Sequence, residues 1–457
     1  MQTSLSYSTR MVPTVVATPS PAKATHLLWF SAIVLTVAFF FGTHDPRVSL
    51  APEYLPSEED LELTAGGGSF LRMVAFPSIA AMGLILVALS DRRVRECNKR
   101  LAGLVLCFLA WCALSMVWSA EPGLSFRRFI VMSLMLVGAW GIARALPLRS
   151  LCLLVVMVLT AFTGIGLATE LALGTFAPGS PDYRFAGTIH PNTQSDFAAC
   201  LVLAAVCLAT EKTRWRPLWV LLACVGVVSL LLADSRTSAA GLLIALFALW
   251  TARRSFKTAA LAVLGITCLV LTFVLVSLVS GASLEQFFVD NVAVTRDEEP
   301  FSLNGRIPLW NELIPFALER PIVGYGYEGF WNIERTDAVS DALEWRMAEA
   351  HSAYLETLLG GGLLGLAAFL AVAWFALKDS ALAYRSSRDA GHAFVFALIV
   401  YCALSALLES GISKPTFLAF IMACGIWHLI LFRSEPRDAE SLGDYSHYAQ
   451  HAAPATL

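Results

Sequence analysis

NGRIPLWNELIPFALERPIVGYGYEGFWNIERTDAVSDALEWRMAEAHSAYLETLLGGGLLG, residues 304–365, is the stretch around which the chain is organised. A long polar segment rich in Arg, Trp and Glu closes at His351, and a Gly-rich apolar helix begins directly after it. Ile307, Trp310, Ile314 and Leu318 recur at helical spacing, with Glu312 and Glu319 off that face. Such a pattern predicts an amphipathic helix lying at a membrane surface. Trp310, Trp331 and Trp345 with Phe301, Phe316 and Phe330 are too many aromatics for a solvated linker, so the segment is expected to pack.

Outward from this stretch almost everything is apolar. The chain has 457 residues, of which 57% are hydrophobic and 15% charged, with a mean hydropathy of +0.66. A soluble domain carries about 25% charged residues, so the composition specifies an integral membrane protein. A spanning helix needs about 20 apolar residues. Candidates are Leu27–Phe41, Phe70–Leu89, Leu101–Trp118, Phe129–Leu146, Leu151–Leu173, Phe197–Ala209, Pro217–Ala233, Ser238–Trp250, Ala259–Ser280, Tyr354–Leu377, Ala393–Leu408 and Thr416–Phe432. The short ones at Phe197 and Ser238 leave room for starts inside the neighbouring polar loops. The expected fold is therefore an all-α polytopic membrane protein of about 12 transmembrane helices, with one large extracytoplasmic loop containing short helices.

Charge segregates by loop. The loops 91–100, 144–149, 212–216, 253–257 and 378–388 are basic, whereas 44–69 holds Glu53, Glu58, Glu59, Asp60 and Glu62 against Arg47. Basic loops face the cytoplasm, which places both termini there and requires an even number of spans. The expected organisation is a Ser-, Thr- and Pro-rich cytoplasmic tail over 1–26, a bundle over 27–280, an extracytoplasmic loop over 281–351, a second set of helices over 352–433 and a cytoplasmic tail over 434–457. A loop of about 70 residues is generally functional or disordered, and its aromatics favour function. Nine of the ten Cys lie in apolar runs and Cys97 in a basic loop, so an extracytoplasmic disulfide is not expected.

Three outward features accompany the long loop. Pro181–Asn192, PDYRFAGTIHPN, carries Arg184 and His190; Ala233–Gly241, ADSRTSAAG, carries Asp234 and Arg236; and Asn304-Gly305-Arg306 begins the organising stretch. A charge flanked by apolar runs usually faces the bundle interior or a wet cavity. Arg236 has the strongest case, against a structural ion pair with Asp234. Arg184 also reads as a loop cation, and Arg306 as a headgroup anchor. Arginines converging on one cavity would bind a diphosphate, because guanidinium forks match phosphate oxygens. His351 precedes Ser352, the expected N-cap of the next helix. The helix N-terminus disfavours imidazolium and Glu349 favours it, so both protonation states stay open; an interfacial His without chemistry is the plain alternative. Gly361 and Gly365 form a small-xxx-small face for a close helix neighbour. Gly324-Tyr-Gly326-Tyr-Glu-Gly329 matches a nucleotide fingerprint literally, but it lacks a βαβ context and reads as a tight turn. No His, Cys or carboxylate spacing suggests a metal site, and no cofactor is expected.

These pieces resemble the O-antigen ligase and polymerase superfamily of bacterial envelope glycosyltransferases. The resemblance rests on Arg184-Phe-Ala-Gly187 with His190-Pro-Asn192, on Ser235-Arg236-Thr-Ser-Ala-Ala-Gly241, and on Gly305-Arg306-Ile-Pro-Leu-Trp310 with Pro321-Ile-Val-Gly324-Tyr-Gly326. His351-Ser-Ala-Tyr354-Leu355 leading into Gly362-Leu-Leu-Gly365 completes the set, which covers about 183–377. The resemblance implies an undecaprenyl-diphosphate-linked oligosaccharide donor and metal-independent transfer with inversion at the anomeric carbon. It implies that Arg184 and Arg236 neutralise the diphosphate, with Arg306 beside them. His351 would position or deprotonate the acceptor hydroxyl, supported by His190, Asp234 and Glu349. Family members often carry Asn after the loop His, where this chain has Ser352. The acceptor is either another lipid-linked repeat, as in an O-antigen or exopolysaccharide polymerase, or lipid A-core, as in a ligase. The polymerase is the favoured reading, with a flippase and a chain-length regulator as protein partners and no nucleic acid. A polytopic transporter or flippase is the alternative of another class; charges clustered in outward loops and the lack of repeat halves weigh against it.

Overall fold

The computed structural model describes residues 21–45, 70–92, 94, 97–180, 183–254, 306–343, 347–387 and 389–432. Among them every regular element is helical. The bundle begins with α1 (Pro21–Thr43), α2 (Phe70–Leu89), α3 (Lys99–Ser115), α4 (Pro122–Ala145), α5 (Leu148–Leu173), α6 (Pro191–Ala209), α7 (Arg216–Ala233) and α8 (Arg236–Ala252). Two amphipathic helices follow, α9 (Arg306–Glu319) and α10 (Ile333–Leu343). The chain then forms α11 (Ala353–Ser387), α12 (Ala390–Ser405) and α13 (Phe417–Leu431). By length and composition eight helices, α1–α7 and α11, are able to cross a membrane, and α8, α12 and α13 are shorter apolar helices. The expected span Ala259–Ser280, the residues 281–305 with Asn304 and Gly305, and most of the acidic loop lie outside the described residues.

Several helix starts differ from the sequence reading. α1 begins at Pro21, inside the segment expected as tail, because proline suits the first helical turn. Lys23 then pairs with Asp91 at 2.5 Å. α6 begins at Pro191 rather than Phe197, since Asn192 and Asp196 in its first turns find partners inside the bundle instead of water. It is the most enclosed helix, its Ala- and Cys-rich surface admitting α5, α7, α8 and α12.

The polar stretch has a hydrophobic core of its own. Leu309, Leu313, Tyr325, Phe330, Trp331 and Leu359 are its buried centre, with Trp310 and Phe316 packed against it. The face of α9 turned inward is Leu309–Leu313–Ala317, while Ile307, Ile314 and Leu318 are exposed. The apolar side singled out in the sequence is thus mostly the outer one, and a second apolar stripe holds the helix to the protein. Trp345 and Phe301 lie outside the described residues.

Candidate functional site

The site starts from Glu170, a buried carboxylate near the end of α5. Its Oε1 accepts the N–H groups of Ala186 and Gly187 at 3.0 and 2.7 Å, and its Oε2 accepts the Tyr183 hydroxyl at 2.5 Å. Gly187, at φ +61°, rests its Cα against Gly166, where a side chain would collide. The Phe185 N–H donates to Leu232 O at the end of α7. Arg184 is consequently held in one orientation. Its Nε donates to Ala233 O at 3.0 Å, and its Nη2 to Asn192 Oδ1 at 2.7 Å and Asp234 O at 3.3 Å.

Asn192 passes the network on. Its Nδ2 donates to Glu409 Oε1 at 3.1 Å, and Arg306 Nη2 donates to the same oxygen at 2.5 Å. Glu409 and Arg306 are both buried, and their ion pair joins the α12–α13 connection to the first residue of α9. Glu409 Oε2 lies 3.8 Å from His351 Nδ1, and Glu349 Oε1 lies 3.2 Å from it. The Glu349 approach is poorly directed for a hydrogen bond, so the contact is electrostatic. Burial pulls the His351 imidazole down, but the nearby Glu409 and Glu349 carboxylates outweigh it. The net result is a ring above the ordinary histidine value.

His351 has φ +46°, a left-handed conformation that is uncommon for a residue with a side chain. It is over-determined by its neighbours. The Trp310 indole donates to Ala350 O at 2.9 Å, and the Ala350 N–H donates to Glu356 Oε1 at 2.7 Å. Leu355 N–H reaches the Ser352 hydroxyl at 3.4 Å, so Ser352 caps α11. Beyond that first stretch, Gly362 breaks α11 with φ +63°. Into that break fits the 321–326 turn. Tyr325 N–H donates to Leu359 O, Gly326 N–H to Gly360 O, and Leu363 N–H to Pro321 O, each at 2.8 Å. Gly324, at φ +62°, stands where any Cβ would meet Leu359 O. The Gly361–Gly365 face receives α3 through Trp111, whose indole donates to Gly361 O at 2.9 Å.

The structure joins Arg184, Arg306, Glu349 and His351 in one network through Asn192 and Glu409. His190 caps α6, its Nδ1 accepting the Asn192 N–H at 3.2 Å. Desolvation by surrounding protein and then the Arg184 charge hold that ring below the ordinary value, although an edge stays exposed. Asp234 is exposed and left-handed at the C-cap of α7, contributing its carbonyl to Arg184. Arg236 is the first residue of α8 and is exposed. Several carboxylates escaped the sequence reading, Glu170 and Glu356 among them. Glu409 follows an expected span end directly and looked like an ordinary loop acid. Asp196 is buried in α6, accepting from Ser238 at 2.9 Å and Tyr401 at 2.5 Å. An acid within an apolar helix was the available signal, hidden by starting that span at Phe197.

Residues 220–370 match the family model described as O-Antigen ligase, a range that contains Arg236, Arg306 and His351. The exopolysaccharide production protein ExoQ of Rhizobium meliloti (strain 1021) is 25% identical over 285 residues, which covers 57% of this chain and 61% of that protein. The chain therefore spans about three fifths of that relative's length. Taken with the apolar helices, the two matches support the resemblance to the O-antigen ligase and polymerase superfamily and mark the chain as a bacterial membrane protein.

Proposed function

We propose that the protein transfers a glycan from an undecaprenyl-diphosphate carrier to a sugar hydroxyl at the outer face of the inner membrane, as an O-antigen or exopolysaccharide polymerase. The observation that carries this reading is the meeting of Arg184, Arg306 and His351, from three separate stretches, on Asn192 and Glu409. In the proposed reaction the acceptor oxygen attacks the anomeric carbon from the face opposite the diphosphate. The carbon–oxygen bond to the diphosphate breaks, and configuration inverts. Arg184, Arg236 and Arg306 offset the charge that develops on the departing diphosphate, so guanidinium groups supply what a metal ion supplies elsewhere. His351 in its neutral form takes the hydroxyl proton, and the resulting imidazolium is stabilised by Glu349 and Glu409. The imidazolium-favouring surroundings make His351 a stronger base once it is deprotonated.

The relative's name speaks of exopolysaccharide production, which favours polymer formation. A ligase acting on lipid A-core is the second reading, favoured by the description of the matched family. A transporter of lipid-linked glycans would not need a half-buried His beside two carboxylates at a strained backbone position. The test is purified protein in nanodiscs with lipid-linked repeat, with and without lipid A-core. The polymerase reading expects a ladder of lipid-linked products without lipid A-core, lost by about 10²–10⁴-fold in His351→Ala. Product on lipid A-core alone would make the protein a ligase. Glycan movement without new glycosidic bonds would make it a transporter.

A further inference from the structure

A second cavity lies on the far side of the wall formed by Ala350–Glu356. It measures about 570 Å³ and is bounded by α2, α3, α4, α11 and α13. None of Arg184, Arg236, Arg306 or His351 lines it. Its inner walls are apolar, with Phe76, Phe108, Leu109, Val131, Met135 and Trp427. Its other end carries Arg72, Arg127, Arg128 and Lys414. These cations come from the first turn of α2, the second turn of α4 and the α12–α13 connection, at the end of the bundle where His351 sits.

Cations outnumber carboxylates in the cavity lining. Glu328 and Glu356 are the carboxylates in the lining, against four cations. Asp45 adds a further negative charge near Arg72. Lys414 lies 3.6 Å from Glu328 and 3.9 Å from Glu356, and Arg128 lies 4.0 Å from Glu328, all at the outer limit of an ion pair. Glu328 is itself left-handed at φ +51°, like Asp234 and His351. Along α13 the cavity runs from Thr416 to Trp427, a depth of about 16 Å at the helical rise. That is about half the hydrocarbon thickness of a leaflet pair. One flank is open. α3 packs on α11 and α4 packs on α2 and α13, but α3 and α4, successive in the chain, barely touch. The cavity therefore opens between two membrane helices.

We infer that this cavity holds a second polyprenyl diphosphate, the carrier of the acceptor, with its diphosphate on Arg72, Arg127, Arg128 and Lys414 and its chain between α3 and α4. The inference rests on the polymerase reading, in which donor and acceptor are both lipid-linked. A phosphate-rich head fits the cation cluster, an apolar chain fits the inner walls, and the lateral gap admits a lipid without passage through water. The wall relays between the two sites. Glu356 pairs with Lys414 in the cavity and accepts the N–H of Ala350, next to His351. An acceptor glycan anchored here would extend over that wall towards the imidazole.

The full chain in nanodiscs, titrated with undecaprenyl diphosphate and analysed by native mass spectrometry, tests this. The wild type should bind two molecules. Leu109→Trp, which fills the gap between α3 and α4, should bind one. Arg127→Gln, which leaves the apolar packing intact, should weaken the second binding by about tenfold or more. Arg236→Ala should lose the other molecule and retain the one in the cavity. Two molecules bound at wild-type affinity in both Leu109→Trp and Arg127→Gln would overturn the cavity site. So would a wild-type count of one that Arg236→Ala abolishes. Loss in the cavity variants with none in Arg236→Ala would support the cavity and sink the donor clamp instead. Phosphatidylglycerol at tenfold excess should not displace the second molecule; displacement would make the cavity an ordinary phospholipid site and overturn the proposal.

Discussion

Glu409 governs how His351 titrates. The imidazole loses solvation by burial, and the Glu409 and Glu349 carboxylates more than restore the charged form. A folded-state value raised above 6.5 contributes stability that is fully present below 6.5 and lost as pH rises through the raised value. A reaction that needs the neutral ring should therefore gain rate as pH rises through the same value. Glu409→Gln should move that acid limb of log kcat/KM to lower pH, measured with lipid-linked donor, and a limb that stays put would show that His351 does not set it. Glu409→Gln also weakens the hold on Arg306 and Asn192, so the plateau should fall as well. Arg236 is a different case, because it is exposed at the rim. Arg236→Lys keeps the charge but loses the bidentate fork, and transfer should drop by about 10²-fold with normal membrane insertion. Near-normal rates in both Arg236→Lys and Arg236→Ala would remove it from the diphosphate clamp. At this scale the sequence was most legible for cations. An Arg between apolar runs announces itself, whereas Glu409 acquires meaning only from three partners that lie far from it in the chain.

At the scale of elements the decisive device is the staple between α5 and the 183–190 loop. Glu170→Ala removes the acceptor of two buried backbone N–H groups, a loss of about 1–3 kcal/mol for each donor left unsatisfied. Hydrogen exchange at Ala186 and Gly187 should quicken while the α5 core stays protected, and transfer should fall about tenfold or more through the misplaced Arg184. Unchanged exchange at those two amides would mean the loop is held by Phe185 and Leu232 alone. Hydropathy identified most helices but not their polar first turns. Asn192 and Asp196 look like loop, and they are helical because Arg184, Glu409, Ser238 and Tyr401 replace water around them. The break at Gly362 was equally hidden. A glycine in an apolar helix reads as a packing face, and only the inserted 321–326 turn makes it a discontinuity. The α9 helix was recognisable by period, but which of its two apolar stripes faces inward depends on Phe330 and Trp331 arriving from elsewhere.

Across the whole molecule the charges sort to two ends. At one end Lys23 meets Asp91, Arg92 donates to Ala143 O and Leu146 O, Arg149 pairs with Glu211, and Arg385 donates to Ala252 O. At the other end are Arg184, Arg306, Glu409 and His351, with Lys414 and Arg128 around the second cavity. The loops predicted to be cytoplasmic thus touch one another, and none of these contacts involves a residue of the candidate site. By the positive-inside rule the site is expected outside, where a lipid-linked glycan already translocated would meet it. A phosphatase fused after Glu298, in the stretch leading to Arg306, should be active, and the same reporter after Lys212 should be silent. A fluorescent protein that folds only in the cytoplasm should give the opposite pattern at both positions. Phosphatase activity after Lys212 with none after Glu298 would invert the molecule, leaving the His351 network facing the cytoplasm and removing the basis for an extracytoplasmic transfer.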